Sequence, residues 1–182
     1  MRFVLAALAV FFAVPAHAIV WTGQLPEGDD TVYLNLSIDR YSNLEAFTTS
    51  YATGGFDPIL SLYRANGRLL TFNDDDGFRP SQGIFDSTIF GENLRPGQYL
   101  MGISQYALFP EDNFVSTGFL PTECPDNTGF CDVFGNNTTS DYRVEYNISP
   151  VPVPPALGLM AAGLVGLTAV ARRRRPKAVA DA

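Results

Sequence analysis

The stretch ILSLYRANGRLLTFN, residues 59–73, decides the fold class because it has the pattern of a β-hairpin. Two runs of strand-forming residues, Ile59–Arg64 and Arg68–Asn73, flank the dipeptide Asn66-Gly67. Asn-Gly supplies the positive φ angles of a tight turn, and this dipeptide between two such runs is a strong hairpin signal. We therefore expect two antiparallel strands joined at Asn66-Gly67.

Other strands are predicted on both sides of this hairpin. In TVYLNLSI, residues 31–38, every second residue is apolar, which is the period of a half-buried strand. The same alternation recurs in Gln98–Gln105 and Asp141–Ser149, and Ser87–Phe90 has the composition of a short strand. No window of residues 19–150 keeps the apolar spacing of an amphipathic helix over three turns. Short strands separated by turn-forming residues indicate an all-β protein, an antiparallel β-sandwich.

The N-terminus, residues 1–18, has the three parts of a secretory signal peptide. A positively charged start precedes the twelve apolar residues Phe3–Val14, and Ala16 and Ala18 form the small-x-small pattern of a cleavage site. Twelve apolar residues are too few to cross a bilayer core of about 30 Å, so a transmembrane helix is disfavoured. We expect cleavage after Ala18, which leaves an exported domain of residues 19–150.

The exported domain is strongly acidic. It contains six of the twelve basic residues but eighteen of the nineteen acidic residues, which gives a net charge of −12. It has no lysine and no histidine, since the single histidine, His17, belongs to the signal peptide. Such a surface repels anionic polymers, so we expect no nucleic-acid partner. Catalytic Ser-His-Asp and Cys-His arrangements are excluded because both need a histidine.

The two cysteines, Cys124 and Cys131, bracket a loop of turn-forming residues within ECPDNTGFC, residues 123–131. In an exported protein a single close pair is expected to form a disulfide. A redox-active pair usually has the spacing Cys-x-x-Cys, and a zinc site needs further ligands. We therefore predict a disulfide that holds a long excursion of the chain, residues 109–137.

Two segments of the exported domain resemble a known family. GGFDPILSLYRANGRLLTFNDDDG, residues 54–77, followed by LRPGQYLMGIS, residues 94–104, is similar to the bacterial pre-peptidase C-terminal (PPC) type of domain. The similar features are an Asp-Pro before a strand, an Asn-Gly-type hairpin, an Asn-Asp-Asp loop and a Pro-Gly-x-Tyr strand; the loop with the cysteines is not among them. The resemblance implies a small jelly-roll-like sandwich, used as an accessory or surface module, with calcium bound in some members.

The acidic run NDDDG, residues 73–77, is the most conspicuous polar feature. It lacks the spacing of an EF-hand, because its fifth position is Gly77 and its twelfth is Ile84. One interpretation is a solvated loop after a strand, where Asn, Asp and Gly satisfy local backbone groups. The other is a calcium site, because closely spaced carboxylates supply the oxygen ligands that calcium prefers. The candidate ligands are Asn73, Asp74, Asp75 and Asp76 in the run, and Asp57 and Asp86 outside it.

Aromatic residues provide a candidate glycan-binding surface. Their flat apolar faces can stack on sugars, although aromatic residues of a sandwich more often belong to the core. The candidates are Trp21, Tyr51, Tyr106, Phe114 and Phe119. A glycan hydrolase uses two carboxylates at a set separation. Eighteen acidic residues make some such pair inevitable, so their presence does not indicate an enzyme.

The C-terminal segment, residues 151–182, has the pattern of a sorting tail. Val151-Pro152-Val153-Pro154-Pro155 leads into the sixteen residues Ala156–Ala171, which are followed by Arg172-Arg173-Arg174-Arg175. As a helix, Ala156–Ala171 spans about 24 Å, which is short for a bilayer core of about 30 Å. The arginines favour the cytoplasmic side of a membrane.

This tail resembles the PEP-CTERM signals that exosortases read in Gram-negative bacteria. It matches their V-P-x-P variants, since Val151–Pro155 lacks the Glu of Pro-Glu-Pro. The resemblance implies a transient stay in the inner membrane, then cleavage near the proline motif and release to the cell surface or the extracellular polysaccharide matrix. A permanent membrane anchor is the alternative.

Three functional hypotheses follow from the sequence. The first is a non-enzymatic exported surface or extracellular-matrix protein with an exosortase as its transient partner. The second is a calcium- or glycan-binding adhesion module whose partner is an extracellular polysaccharide. The third is a membrane-anchored hydrolase that acts on glycans.

Overall fold

The computed structural model describes most of the chain from Ala18 to Pro152. The described residues are 18–75, 79–114, 116–117, 129–132, 134–152, 160 and 163. The chain divides into two compact units, Met1–Pro150 and Val151–Ala182.

Antiparallel β-strands build the described part of the first unit. They are β1 (Ile19–Gln24), β2 (Thr31–Ile38), β3 (Ser42–Thr48), β4 (Pro58–Arg64), β5 (Leu69–Asn73), β6 (Thr88–Leu94), β7 (Gly97–Gln105), β8 (Phe109–Pro110), β9 (Ser116–Thr117) and β10 (Asp141–Pro150). One sheet has the order β1-β10-β3-β6 and the other the order β2-β7-β4-β5, while β8 pairs with β9. The two four-stranded sheets pack as a sandwich, which confirms the expected all-β class.

Most of the strands lie where the alternation of apolar residues predicts them. β2 has the predicted bounds, β4, β5, β7 and β10 differ from the prediction by one residue at one end, and β6 extends to Leu94. β1 and β3 were not predicted. In β3 the buried positions are occupied by Ser42, Leu44, Ala46 and Thr48. Two of these residues are polar and one is small, so the strand lacks the hydrophobic alternation that identifies its neighbours.

The hairpin between β4 and β5 differs from the prediction in its turn. Gly67 has φ +87°, but Asn66 is not among the described residues with positive φ. The N–H of Gly67 donates to the carbonyl of Arg64 at 2.9 Å, and the N–H of Arg64 donates to the carbonyl of Arg68 at 2.9 Å. The loop therefore has three residues, 65–67, with glycine at the left-handed position, which is the next commonest hairpin connection after the two-residue turn.

The hydrophobic core lies between the two sheets. Its buried side chains come from alternate positions of strands in both sheets, among them Leu36, Leu44, Leu62, Ile89, Met101, Ile103 and Val144. Full burial of one such aliphatic side chain contributes about 1.5–3 kcal/mol, so this layer is the main source of stability.

One end of the sandwich carries most of the acidic side chains, and we call it the acidic pole. It is formed by residues 25–30, 49–57, 74–75, 79–87, 129–132 and 134–140, which adjoin strand ends on the same side of the two sheets. Within these described residues there are eight acidic side chains and a single basic one, Arg79. Because Arg79 forms an ion pair with Glu45 of β3, it does not neutralise the pole as a whole.

The second unit is described at Val151, Pro152, Met160 and Gly163, and the last two have helical backbone. Over the described positions of the chain, no helix reaches the length and apolar character needed to span a membrane.

Candidate metal centre

The hairpin brings Asp57 together with Asp74 and Asp75 of the acidic run. Asp57 directly precedes β4, while Asp74 and Asp75 directly follow β5. The two strands are antiparallel, with Leu60 opposite Asn73, so the start of one lies beside the end of the other. One carboxylate oxygen from each of the three aspartates lies within 4.8 Å of the other two. We call these three residues the aspartate cluster.

The aspartate cluster extends from the interior to the surface. Asp57 is only 2% exposed, Asp74 is half-buried and Asp75 is exposed. The buried Oδ1 atoms of Asp57, Asn73 and Asp74 have no hydrogen-bond partner among the described residues. A buried polar atom without a partner costs about 1–3 kcal/mol, and more when it is charged. The cluster is therefore a destabilising feature unless a ligand satisfies these oxygens.

The pKa values of the cluster reflect this environment. Burial, followed by the charges of Asp74, Asp75, Asp132 and Asp86, raises the pKa of Asp57 to about 8. Burial and the charge of Asp75 raise the pKa of Asp74 to about 6, and burial raises that of Asp75. At neutral pH Asp57 is therefore mostly protonated and Asp74 mostly ionised, because burial and the repulsion between like charges oppose ionisation of both.

The donor set of the cluster fits a hard cation. Its three carboxylates supply oxygen ligands, which calcium and magnesium prefer over softer metals. A divalent cation would supply the missing partner for the buried oxygens and reverse the repulsion between them. The fourth candidate ligand of the run, Asp76, lies outside the described residues.

Asp86 does not extend the cluster, although the sequence suggested it as a ligand. Its Oδ1 accepts hydrogen bonds from the Thr48 hydroxyl at 2.8 Å and the Tyr51 N–H at 3.0 Å. Its Oδ2 accepts from the N–H groups of Ala52 at 3.0 Å and Gly83 at 2.7 Å. Asp86 is fully buried, and these four bonds make it the anchor that joins two segments of the acidic pole.

Asp132 holds a second loop of the acidic pole, a role that the sequence did not indicate. Its Oδ1 accepts from the N–H groups of Phe134 and Asn136, both at 2.9 Å. Its Oδ2 accepts from the Asn136 amide at 2.9 Å and from the Tyr51 hydroxyl at 3.2 Å. Burial acts to raise the pKa of Asp132, but these hydrogen bonds outweigh it and hold the pKa below its usual value. The carboxylate therefore stays ionised at neutral pH.

The aromatic candidates for a glycan surface are separated in the structure. Trp21 packs edge-on against Tyr142 at a centroid distance of 5.0 Å. Phe114 packs against the rings of Tyr33 at 5.8 Å and Tyr63 at 5.2 Å on the outer face of the second sheet. These rings take part in internal packing.

Two further aromatic candidates, Tyr106 and Tyr51, have different surroundings. Tyr106 packs against Phe109 at a centroid distance of 5.8 Å. Tyr51 instead lies at the acidic pole, and its ring contacts Phe85 at 4.8 Å. Phe119 is outside the described residues.

Of several other residues that the sequence singles out, only some belong to the described part of the chain. Cys131 is buried and disulfide-bonded, and Cys124, the other cysteine of the sequence, lies outside the described residues. Ala18 is described and Ala16 is not. Of the sorting motif, Val151 and Pro152 are described, whereas Pro154, Pro155, Arg172, Arg173, Arg174 and Arg175 lie outside the described part.

No protein-family model and no curated protein sequence matches the chain. Among solved structures it is similar to the crystal structure of Aeromonas hydrophila PliG, a periplasmic lysozyme inhibitor of g-type lysozyme. The two share 14% sequence identity with a TM-score of 0.43, and the match covers 77% of this chain and 93% of that one. Similarity at this level carries no argument about function.

Proposed function

We propose that this protein is a non-enzymatic exported surface or extracellular-matrix protein whose β-sandwich binds calcium at Asp57, Asp74 and Asp75. The observation that carries the calcium site is the Asp57 carboxylate, which is 2% exposed and has an unpartnered oxygen facing two further carboxylates. A carboxyl group in that position is stable only when it is protonated or, if it is ionised, when it is paired with a cation. Asp75, which is exposed, gives the cation a route from solvent.

The expected effect of calcium is stabilisation of the folded domain. A ligand that binds only the folded state raises the free energy of unfolding by about 2.7 kcal/mol at a concentration one hundred times its dissociation constant. We expect a higher Tm in calcium than in a chelator, measured by calorimetry on the full-length protein in detergent. Asp57→Asn should remove most of this difference.

A matched control uses an aspartate of the same pole that is outside the cluster. Asp29 is exposed, and Asp29→Asn should keep the calcium-dependent rise of Tm. The same Tm for the unmodified protein in calcium and in chelator would exclude a calcium site in the cluster.

The export and sorting of the protein are part of the same proposal. They rest on the signal-peptide pattern of residues 1–18 and on the proline motif, apolar segment and arginines of residues 151–182. In this proposal an exosortase is the transient partner, the inner membrane holds the precursor, and the cell surface or polysaccharide matrix receives the product. The histidine-free composition of the exported domain supports a non-enzymatic role.

The finer fold that we infer is a jelly roll. Apart from the small β8-β9 ladder, the strands of the described residues form two four-stranded sheets, and the chain crosses repeatedly from one to the other. The order β1-β10-β3-β6 places the last strand beside the first, and β2-β7-β4-β5 has the matching arrangement in the second sheet. This pattern of two antiparallel sheets with eight strands supports the inference.

A further inference from the structure

A row of three aromatic rings lies at the acidic pole. The ring centroids of Tyr51 and Phe85 are 4.8 Å apart, and those of Phe85 and Phe134 are 5.8 Å apart. Phe134 is 70% exposed, and the neighbouring Ile84 is 67% exposed. We call Tyr51, Phe85 and Phe134 the aromatic platform. Its outermost ring contributes little to the core of the domain.

The aromatic platform is held in place by two buried carboxylates of the pole, those of Asp86 and Asp132. The N–H of Phe134 donates to Asp132, which also accepts from the Tyr51 hydroxyl. The N–H of Tyr51 donates to Asp86, and Phe85 directly precedes Asp86 in the chain. Rings whose backbone is fixed in this way lose little conformational entropy when a ligand covers them, which favours binding.

The charge around the platform selects the kind of ligand. The described residues of the acidic pole carry eight carboxylates and a single basic side chain, Arg79, which is paired with Glu45. Asp132, whose hydrogen bonds keep it ionised, accepts one of them from the hydroxyl of Tyr51 in the platform. Such a field repels anionic polymers and attracts cationic ones. The aromatic faces favour the same sign of charge, because a cation is attracted to the face of an aromatic ring.

We propose that the aromatic platform of Tyr51, Phe85 and Phe134 binds a polysaccharide whose sugars carry free amino groups. The apolar face of a sugar ring stacks on Phe134, while its ammonium group lies in the field of the surrounding carboxylates. Neither a neutral nor an acidic polysaccharide satisfies both parts of this surface. The inference goes beyond the proposed function and does not depend on the calcium site.

The test is calorimetric titration of the full-length protein in detergent with a glucosamine oligosaccharide. A chelator is present throughout, so that the state of the aspartate cluster is the same in every titration. We expect Phe134→Ala to weaken binding about tenfold, which corresponds to roughly 1.4 kcal/mol. Phe90→Ala is the matched control, because Phe90 is 50% exposed on β6 and lies outside the platform. It should bind like the unmodified protein.

A second arm separates stacking from simple attraction between opposite charges. The fully N-acetylated oligosaccharide of the same length keeps the sugar rings but loses the positive charge, and we expect it to bind at least about tenfold more weakly. Equal binding of the glucosamine oligosaccharide by the unmodified protein and Phe134→Ala would overturn the proposal, since charge alone would then explain the affinity. Absence of binding by the unmodified protein would overturn the proposal as well. A protein would then be the next ligand to test for the platform.

Discussion

Asp57 and Asp86 lie at the same pole of the sandwich and are both buried, but the groups around their carboxylates differ. Asp86 accepts four hydrogen bonds from one hydroxyl and three backbone N–H groups. Asp57 has an unpartnered oxygen and faces Asp74 and Asp75. At the scale of the residue, the surroundings give one aspartate a structural role and the other the properties of a metal ligand.

The raised pKa of Asp57 predicts a pH dependence for the calcium-free protein. An acid whose pKa is higher in the folded state than in the unfolded state keeps its proton longer when folded, so stability falls as pH rises between the two values. For Asp57 these values are 3.8 and about 8, and Asp74 acts in the same direction. We expect the Tm in chelator to fall from about pH 4 to about pH 8. Thermal unfolding of Asp57→Asn over the same range should show a shallower decline, and an unchanged slope would contradict the assignment.

Replacement of Asp86 by alanine should be strongly destabilising. Asp86→Ala leaves the buried hydroxyl of Thr48 and the partly buried N–H groups of Tyr51, Ala52 and Gly83 without their acceptor. A fully buried donor without a partner costs about 1–3 kcal/mol and a partly buried one costs less, so we expect a total loss on the order of 3 kcal/mol in chemical denaturation. The exposed control Asp29→Ala should change stability by less than about 0.5 kcal/mol. Similar values for the two variants would show that the hydrogen bonds of Asp86 are of minor importance.

At the scale of the element, the β4–β5 hairpin both builds the second sheet and assembles the candidate site. Its turn is closed by Gly67, whose carbonyl accepts a hydrogen bond from the N–H of Asn113 at 2.7 Å. A Cβ atom at position 67 would lie 2.9 Å from the Cα of Asn113. The turn therefore needs glycine for two reasons, the left-handed backbone and the close approach of the segment that follows β8.

A pair of glycine substitutions separates these two reasons. Gly54 has φ +89° and a Cβ atom there would have no neighbour within 4 Å, whereas Gly67 has φ +87° and the close contact. Gly54→Ala should cost about 1 kcal/mol for the left-handed backbone alone. Gly67→Ala should cost more, because the contact adds to the same backbone strain. Equal losses in denaturant unfolding would mean that the segment near Asn113 moves away without cost.

One of the strands that sequence patterns did not predict, β3, has buried residues that are mostly small or polar. β2 and β7 alternate large apolar residues with polar ones, and their bounds follow from the sequence within one residue. β3 buries Ser42, Ala46 and Thr48, so its inward face has little hydrophobic signal. Its position is determined by pairing with β10 and β6 on either side.

At the scale of the whole molecule, the domain has a marked asymmetry along its strands. The acidic pole holds the aspartate cluster and the aromatic platform, while β10 ends at Pro150 beside Ser42, at the opposite end. The last strand of the domain therefore ends on the side away from both candidate sites.

The sorting proposal predicts a shortened C-terminus in the exported protein. Mass spectrometry of the protein isolated from the surface or matrix fraction should find an end near Val151–Pro155. Residues Ala156–Ala182, including the four arginines, should be absent from that fraction. An intact C-terminus in this fraction would contradict cleavage and favour a permanent anchor.

The sequence by itself determined the β class and the bounds of the strands with large alternating residues, and it offered Asp57 and Asp86 alike as candidates to join the run after β5. These features depend on local periodicity and on a single hairpin, so they can be predicted from residues that are close together in the sequence. Tertiary structure alone decided that Asp86 is saturated with hydrogen bonds, that Asp132 anchors a loop, and that Phe85 and Phe134 join Tyr51 in one surface. The partners in those contacts lie up to about eighty positions apart along the chain, and their distances are set by the packing of the two sheets rather than by any local pattern.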